Sequence, residues 1–294
     1  MTPPEYARGL AGAGAALQAA FSPLTAFNAL APRDPAVRVV RGAAFGPSAR
    51  QRLDAYAPIV RPTGSTLPVL VFFYGGAWNS GRRQDYAFVG QALAARGFLA
   101  LVPDYRLYPE VRFPAFLQDG AAAVRWARDH AAGLGGDPDR IALAGHSAGA
   151  YNAMMLGLDS QFLGEAGVPR AAVRALAGLS GPYDFLPLES RVTRATFGGA
   201  EDLAATQPVN HVAAASPPTF LAHGTGDTLV YPRNAEALAR ALAQAGAKVT
   251  LQLYRGLGHP DTVLALSRPF RRRAPELADL TAFLRAHLAE AVRG

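Results

Sequence analysis

The 294-residue sequence predicts an α/β fold: a mostly parallel, doubly wound sheet opened by an antiparallel hairpin and carrying a small cap or lid. Short, uninterrupted apolar runs recur along the chain, as strands buried on both faces require. Helix-forming stretches separate them, because parallel strands need long crossovers. The hairpin is read from two strand-like runs, 37–44 and 51–57, on either side of Phe45-Gly46-Pro47-Ser48.

The remaining elements follow in order. Residues 67–74 (LPVLVFFY) are a buried strand by their continuous apolar run. Residues 86–96 read as a helix stopped by Gly97, and 98–103 as the next strand. A helix over 114–130 leads to a strand at 140–144 and a helix at 148–158. Strands are expected at 172–179, 219–223 and 248–254, with helices at 233–245 and 275–292. One domain spans 37–294, with a short irregular insertion near 183–215. Residues 1–36 are expected to be a separate helical segment. Its apolar Tyr6, Leu10, Leu17, Phe21, Leu24 and Phe27 are expected to pack over a site as part of a lid.

Composition removes several function classes. Half the residues are hydrophobic and 17% are charged, which suits a globular chain with a sizeable core. The absence of cysteine excludes disulfides, thiolate catalysis and zinc–sulfur sites. The net charge of +7 rests almost wholly on arginine, Lys248 being the sole lysine. These charges are scattered except for Arg268 and Arg271 to Arg273, read as a solvated loop, so no nucleic-acid partner is expected. No run of about eighteen apolar residues occurs, so no membrane span is expected. Glu5 and Arg8 spoil an N-terminal leader, which makes the cytoplasm the expected location.

The chemistry centres on Gly145-His146-Ser147-Ala148-Gly149, set between the strand at 140–144 and the following helix. A sharp strand-to-helix turn with glycine on both sides of a serine exposes that hydroxyl at the apex. A serine hydroxyl needs a histidine base, and the histidine needs a carboxylate to fix its tautomer. His259, in the Gly256-Leu257-Gly258-His259 loop after the 248–254 strand, is the expected base. His130 and His287 lie on helices, His211 in the irregular stretch, and His223 at a strand end with a packing role. Asp227, directly after the 219–223 strand, is the expected acid, with Asp184 its rival. The order Ser, Asp, His suits the elbow. The paired glycines of Tyr74-Gly75-Gly76-Ala77-Trp78 follow a strand and free backbone N–H groups for an oxyanion. Ala148, at the start of the elbow helix, adds a further N–H supported by the helix dipole.

These stretches, together with Asp104-Tyr105-Arg106-Leu107-Tyr108-Pro109-Glu110 and the Gly136-Asp137-Pro138-Asp139-Arg140-Ile141 run before the elbow, resemble the α/β-hydrolase carboxylesterases. The likeness covers 37–292 and is to the hormone-sensitive-lipase-like and bacterial feruloyl-esterase-like groups. It implies Ser147 as nucleophile, Asp227 as acid and His259 as base. It places Gly75, Gly76, Ala77 and Ala148 at the oxyanion hole, with no cofactor and no metal. Substrate-pocket candidates are Tyr74, Trp78, His146 and Tyr151, and the partner is a small-molecule ester of short acyl chain or with an aryl group. Where the family usually has histidine this chain has Tyr74, whose phenol can still brace the loop. An arylformamidase-like amide hydrolase is the nearest rival, and an inactive interaction protein on the same fold is the rival of another class.

Overall fold

The computed structural model describes residues 23–60 and 65–289. Helix α1 (Pro23–Leu30) is followed by strands β1 (Ala36–Ala44), β2 (Arg52–Pro58) and β3 (Leu67–Phe73). Then come α2 (Ala87–Ala94), β4 (Leu99–Pro103), α3 (Ala115–Ala131), β5 (Gly136–His146), α4 (Ala148–Leu158) and α5 (Ser160–Glu165). The chain continues with β6 (Val173–Leu179), α6 (Arg191–Phe197), β7 (Thr219–Gly224), α7 (Arg233–Gln244) and β8 (Val249–Tyr254). Helices α8 (Asp261–Leu264) and α9 (Glu276–Leu288) close it.

The strands form one eight-stranded sheet in the order β1-β2-β4-β3-β5-β6-β7-β8. β2 runs antiparallel to both β1 and β4, and every other pair is parallel. The interior strands explain their sequences. β3 is buried at every position but Pro68, and β7 is buried throughout. A strand covered on both faces has no solvent side on which a polar residue would be favoured. The edge strand β8 is partly exposed over most of its length, and its sequence VTLQLY shows it. β5 starts at Gly136, earlier than the apolar run suggests. Its first residues still pair with Leu67 and Pro68 before a register shift.

The short helices α5 and α6 carry no readable period at their length. Each is started by a side-chain cap instead: Asp159 accepts from Gln161 N, and Ser190 from Thr193 N. Within the insertion, α6 and two short 3₁₀ turns replace the expected irregular stretch. Helix α1 docks on the segment before α2. Phe27 meets Phe88 edge-on at 5.2 Å and lies 5.8 Å from Phe270, while the Asn28 side chain accepts from Phe88 N. Tyr6, Leu10, Leu17 and Phe21 lie outside the described residues. The basic stretch 268–273 is tied down rather than simply solvated. Arg271 makes a two-pronged pair with Asp34 at 3.0 and 2.8 Å, and Arg273 pairs with Asp261.

One buried acid has an energetic consequence. Glu276, in the first turn of α9, is fully buried, and neither carboxyl oxygen has a hydrogen-bond partner among the described residues. Burial, with a smaller push from Asp279, raises its carboxyl well above the usual carboxylate range. An acid that binds its proton more tightly folded than unfolded loses stability as pH rises from its unfolded value, about 4.3, toward its folded one. Glu276→Gln removes that ionisation. It is expected to stabilise the fold at pH 8 by on the order of 1–3 kcal/mol, and by much less near pH 4.5. Urea melts at the two pH values check this, and a stability difference independent of pH would contradict it.

Candidate active site

The carboxyl edge of the sheet brings four loops together. At the β5–α4 turn, Ser147 adopts φ 55° and ψ −125°, a conformation that L residues rarely hold. Strain of this kind costs about 1–3 kcal/mol and persists only where neighbours over-determine it. Here Ser147 N donates to Leu179 O at 2.9 Å, and the Ser147 carbonyl accepts from Tyr151 N. The hydroxyl Oγ lies 2.8 Å from His259 Nε2, and His259 Nδ1 lies 2.7 Å from Asp227 Oδ2.

Asp227 is anchored on its other oxygen, where Oδ1 accepts from the N–H groups of Leu229 and Val230 at 2.9 Å each. Burial opposes its charge. Hydrogen bonds from His223, His259 and the Val230 amide outweigh that and hold the carboxyl below the usual range. The loops bearing the acid and the base are bound to each other by Gly226 N donating to Leu257 O at 3.0 Å. His259 is held in turn at its carbonyl, which accepts from His146 Nε2 at 3.0 Å and Thr262 Oγ1 at 3.2 Å. His146 is therefore a brace behind the base and not a wall of the pocket. Burial first, and then the nearby His259, push its imidazole down to about 3, so it stays neutral.

The loop after β3 is bent by positive φ at Gly76 (137°), Ala77 (48°) and Trp78 (57°). Asn79 N and Ser80 N both donate to Gly76 O, at 3.1 and 3.0 Å, which turns the loop back on itself. Ala77 comes to the cavity beside Ser147 and Ala148, whereas Gly75 packs under the loop against His146 and Ser147. Ala148 is the first residue of α4, where N–H groups have no partner inside the helix.

Tyr74 is fully buried, stacked between Tyr105 (4.9 Å) and Tyr86 (5.5 Å). Its hydroxyl accepts from Arg50 Nη2 at 2.8 Å, and the same nitrogen donates to Gly81 O at 2.8 Å. Arg50, from the β1–β2 turn, thus ties both ends of the loop together. Tyr74 serves as this anchor and does not line the pocket, which corrects its place among the pocket candidates. Tyr151 needs the same correction. It is buried behind Trp78, with its hydroxyl donating to Thr206 O at 2.8 Å.

Trp78 does line the cavity of about 290 Å³, along with Phe185 and Leu186 of the insertion and Leu229 and Tyr231 of the acid loop. Its ring rests edge-on against Phe197 (4.8 Å) and Tyr151 (5.2 Å), and Nε1 donates to Asn152 Oδ1 at 3.1 Å. Asp184, the rival acid, is exposed at the pocket rim. Its backbone N–H is taken by Asn234. Reading the sequence missed Arg50 and the contact of His223 with Asp227. The second had a signal, since His223 ends the strand four residues before Asp227. Among the described residues no His, Asp or Glu group could hold a metal ion, and no helix is long and apolar enough to cross a membrane.

A strained serine at a strand-to-helix turn, hydrogen-bonded through a histidine to an aspartate at the carboxyl edge of a mostly parallel sheet, defines an α/β-hydrolase. The BD-FAE profile matches residues 53–242, and the chain belongs to that family. It is 36% identical over 257 residues to a probable isoprenylcysteine alpha-carbonyl methylesterase, ICMEL1, of Oryza sativa subsp. japonica; the match spans 80% of this chain and 59% of that one. It is 32% identical to esterase LipC of Mycobacterium tuberculosis, across 67% of this chain and 53% of the relative. The chain thus spans little more than half the length of these relatives. In fold it resembles esterase B of Lactobacillus rhamnosis (TM-score 0.79, 21% identity, 97% of both chains). It also resembles a truncated carbohydrate esterase from gut microbiota (TM-score 0.76, 21% identity, 88% of this chain and 100% of that one).

Proposed function

We propose that the protein hydrolyses carboxylic esters through an acyl-enzyme on Ser147. The observation that carries this reading is the unbroken hydrogen-bonded chain from Ser147 Oγ through His259 to Asp227, with Ser147 on the wall of an open cavity. Ser147 attacks the ester carbonyl while His259 Nε2 takes its proton. Asp227 orients the ring and stabilises the imidazolium. The N–H groups of the 75–77 loop and of Ala148 face the developing oxyanion. His259 then protonates the leaving alcohol and activates the water that releases the acid. The esterase and methylesterase names of the relatives support ester substrates.

The pocket favours short acyl or aryl esters, because Trp78 is backed by an aromatic cluster that leaves no room for a tunnel behind it. Each methylene that finds apolar surface gains about 0.8 kcal/mol, and one left in water gains nothing. With p-nitrophenyl esters, kcat/KM is expected to rise over the shortest acyl chains and then level off. Efficiency still climbing at chains of about twelve carbons would contradict a pocket that ends at Trp78. An aryl formamide run beside the panel compares amide with ester turnover. A fluorophosphonate adduct mapped to Ser147 tests the nucleophile, and labelling elsewhere would overturn the reading.

The base must be neutral to take the serine proton, so kcat/KM is expected to fall on the acid side as one proton is bound. His146, held at about 3, and Asp227, held below the usual carboxylate range, add no step near neutrality. A profile flat down to about pH 4 would remove His259 from the role of base.

A further inference from the structure

The oxygen of Asp227 that receives the His259 Nδ1–H has a second imidazole beside it. His223, at the end of β7, is fully buried, and its Nε2 lies 3.2 Å from Asp227 Oδ2 and 2.7 Å from the Val230 carbonyl oxygen. Both neighbours of Nε2 are acceptors, so the ring proton sits on that nitrogen. Nδ1 is buried with no hydrogen-bond partner among the described residues, and a second proton there would have no acceptor. His223 is therefore built as an N–H donor aimed at the acid.

We infer that His223 is a positioning residue: its Nε2–H, shared between Asp227 Oδ2 and the Val230 carbonyl, fixes the carboxylate and weakens the basicity of the oxygen that holds His259. The inference rests on the roles given above to Ser147, His259 and Asp227. A carboxylate oxygen with two donors stabilises an adjacent imidazolium less than one with a single donor. His259 is then oriented by Asp227 while the pull of the carboxylate on its protonated form is eased. The Val230 contact adds geometry, because the Val230 N–H donates to Asp227 Oδ1 while its carbonyl accepts from His223. His223 thus closes a ring of hydrogen bonds around the acid.

The titratable groups facing this ring come from three elements. Asp227 lies on the loop after β7, His259 on the loop after β8, and His146 at the end of β5, with its Nε2–H donated to the His259 carbonyl. Asp261, two residues beyond His259, is engaged by Arg273 and the Gly258 amide.

The test compares pH profiles of kcat/KM on a short p-nitrophenyl ester for His223→Leu, His223→Asn and His223→Gln, with active sites counted by fluorophosphonate titration. Leucine removes the donor, asparagine places an amide short of it, and glutamine can reach the Nε2 position. In the Leu and Asn variants the acid limb is expected to move up by about half to one pH unit, because a more basic Asp227 holds the imidazolium more tightly. Their kcat per active site is expected to fall about tenfold, in keeping with a misplaced acid, while KM is little changed. Glutamine is expected to restore the wild-type limb. If His223→Leu does not fold, the Asn and Gln pair makes the same comparison. An unshifted or lowered limb in Leu and Asn, or a Gln variant indistinguishable from Asn, overturns the inference and leaves His223 a packing residue. A wild-type protein without an acid limb and unreactive to fluorophosphonate overturns the underlying reading as well, so the two failures are distinct.

Discussion

Ser147→Ala is expected to lower kcat for a short ester by about five orders of magnitude, the largest single effect on activity in this molecule. The hydroxyl is the only group of the Ser147, His259 and Asp227 chain that forms a covalent bond in the proposed reaction. Its loss leaves only the oxyanion amides and binding to act on the ester. The same position makes a second, independent forecast about stability. At φ 55° the backbone strain belongs to any residue with a Cβ, so alanine inherits it from serine. Glycine does not. Ser147→Gly is therefore expected to be as inactive as Ser147→Ala but more stable than it by about 1 kcal/mol. Thermal melts of the two variants decide this. Equal stabilities would show that the turn is relaxed in solution, and residual ester turnover above about 1% would remove Ser147 from the chemistry.

What could be read from the sequence follows from what sequence patterns encode. β3 and the core of β5 were legible because a strand covered on both faces shows itself as a continuous apolar run. That Ser147, Asp227 and His259 fall at one edge of the sheet was legible because each lies on the turn or loop that follows a parallel strand. What was not legible is tertiary. Tyr74 was placed on the pocket wall because it adjoins the oxyanion loop. Its ring is instead drawn into the core by Tyr86 and Tyr105, and its hydroxyl by Arg50, 24 residues earlier in the chain. Tyr151 sits on the elbow helix, but its face points to the insertion, where Thr206 takes its hydroxyl. His146, also a pocket candidate, turns its ring instead to the His259 carbonyl, 113 residues distant. In each case residue type and local context were right, and the missing quantity was which loop lies alongside.

The second large effect concerns why glycine stands on both sides of Ser147. A Cβ added at Gly149 would sit 2.1 Å from Phe73 O and 2.5 Å from Tyr74 O, both backbone atoms that no rotamer change can move aside. One added at Gly145 would sit 2.2 Å from Gly149 O. The start of α4 and the end of β3 are thus in backbone contact, and Phe73 is also register-paired with Gly145 in the sheet. Room for a methyl group can come only by pushing the helix off the strand or by shifting Phe73 and Tyr74. The first detaches the elbow, and the second moves the loop that begins at Tyr74 away from Ser147. Gly149→Ala is therefore expected to cost more than about 3 kcal/mol, beyond ordinary overpacking because the clash is with backbone. That corresponds to a fall in Tm of at least about 6 °C for a domain of this size. The fraction that still folds is expected to react slowly with fluorophosphonate, because the nucleophile and the oxyanion donors no longer face each other. Gly164→Ala is the control. A Cβ there meets nothing within 4 Å, on the exposed side of α5, and alanine in a helix is favoured over glycine by about 0.5–1 kcal/mol. A Gly149→Ala protein that melts with the wild type would mean that the contact between α4 and β3 yields at little cost, and the tight elbow would no longer explain the two glycines.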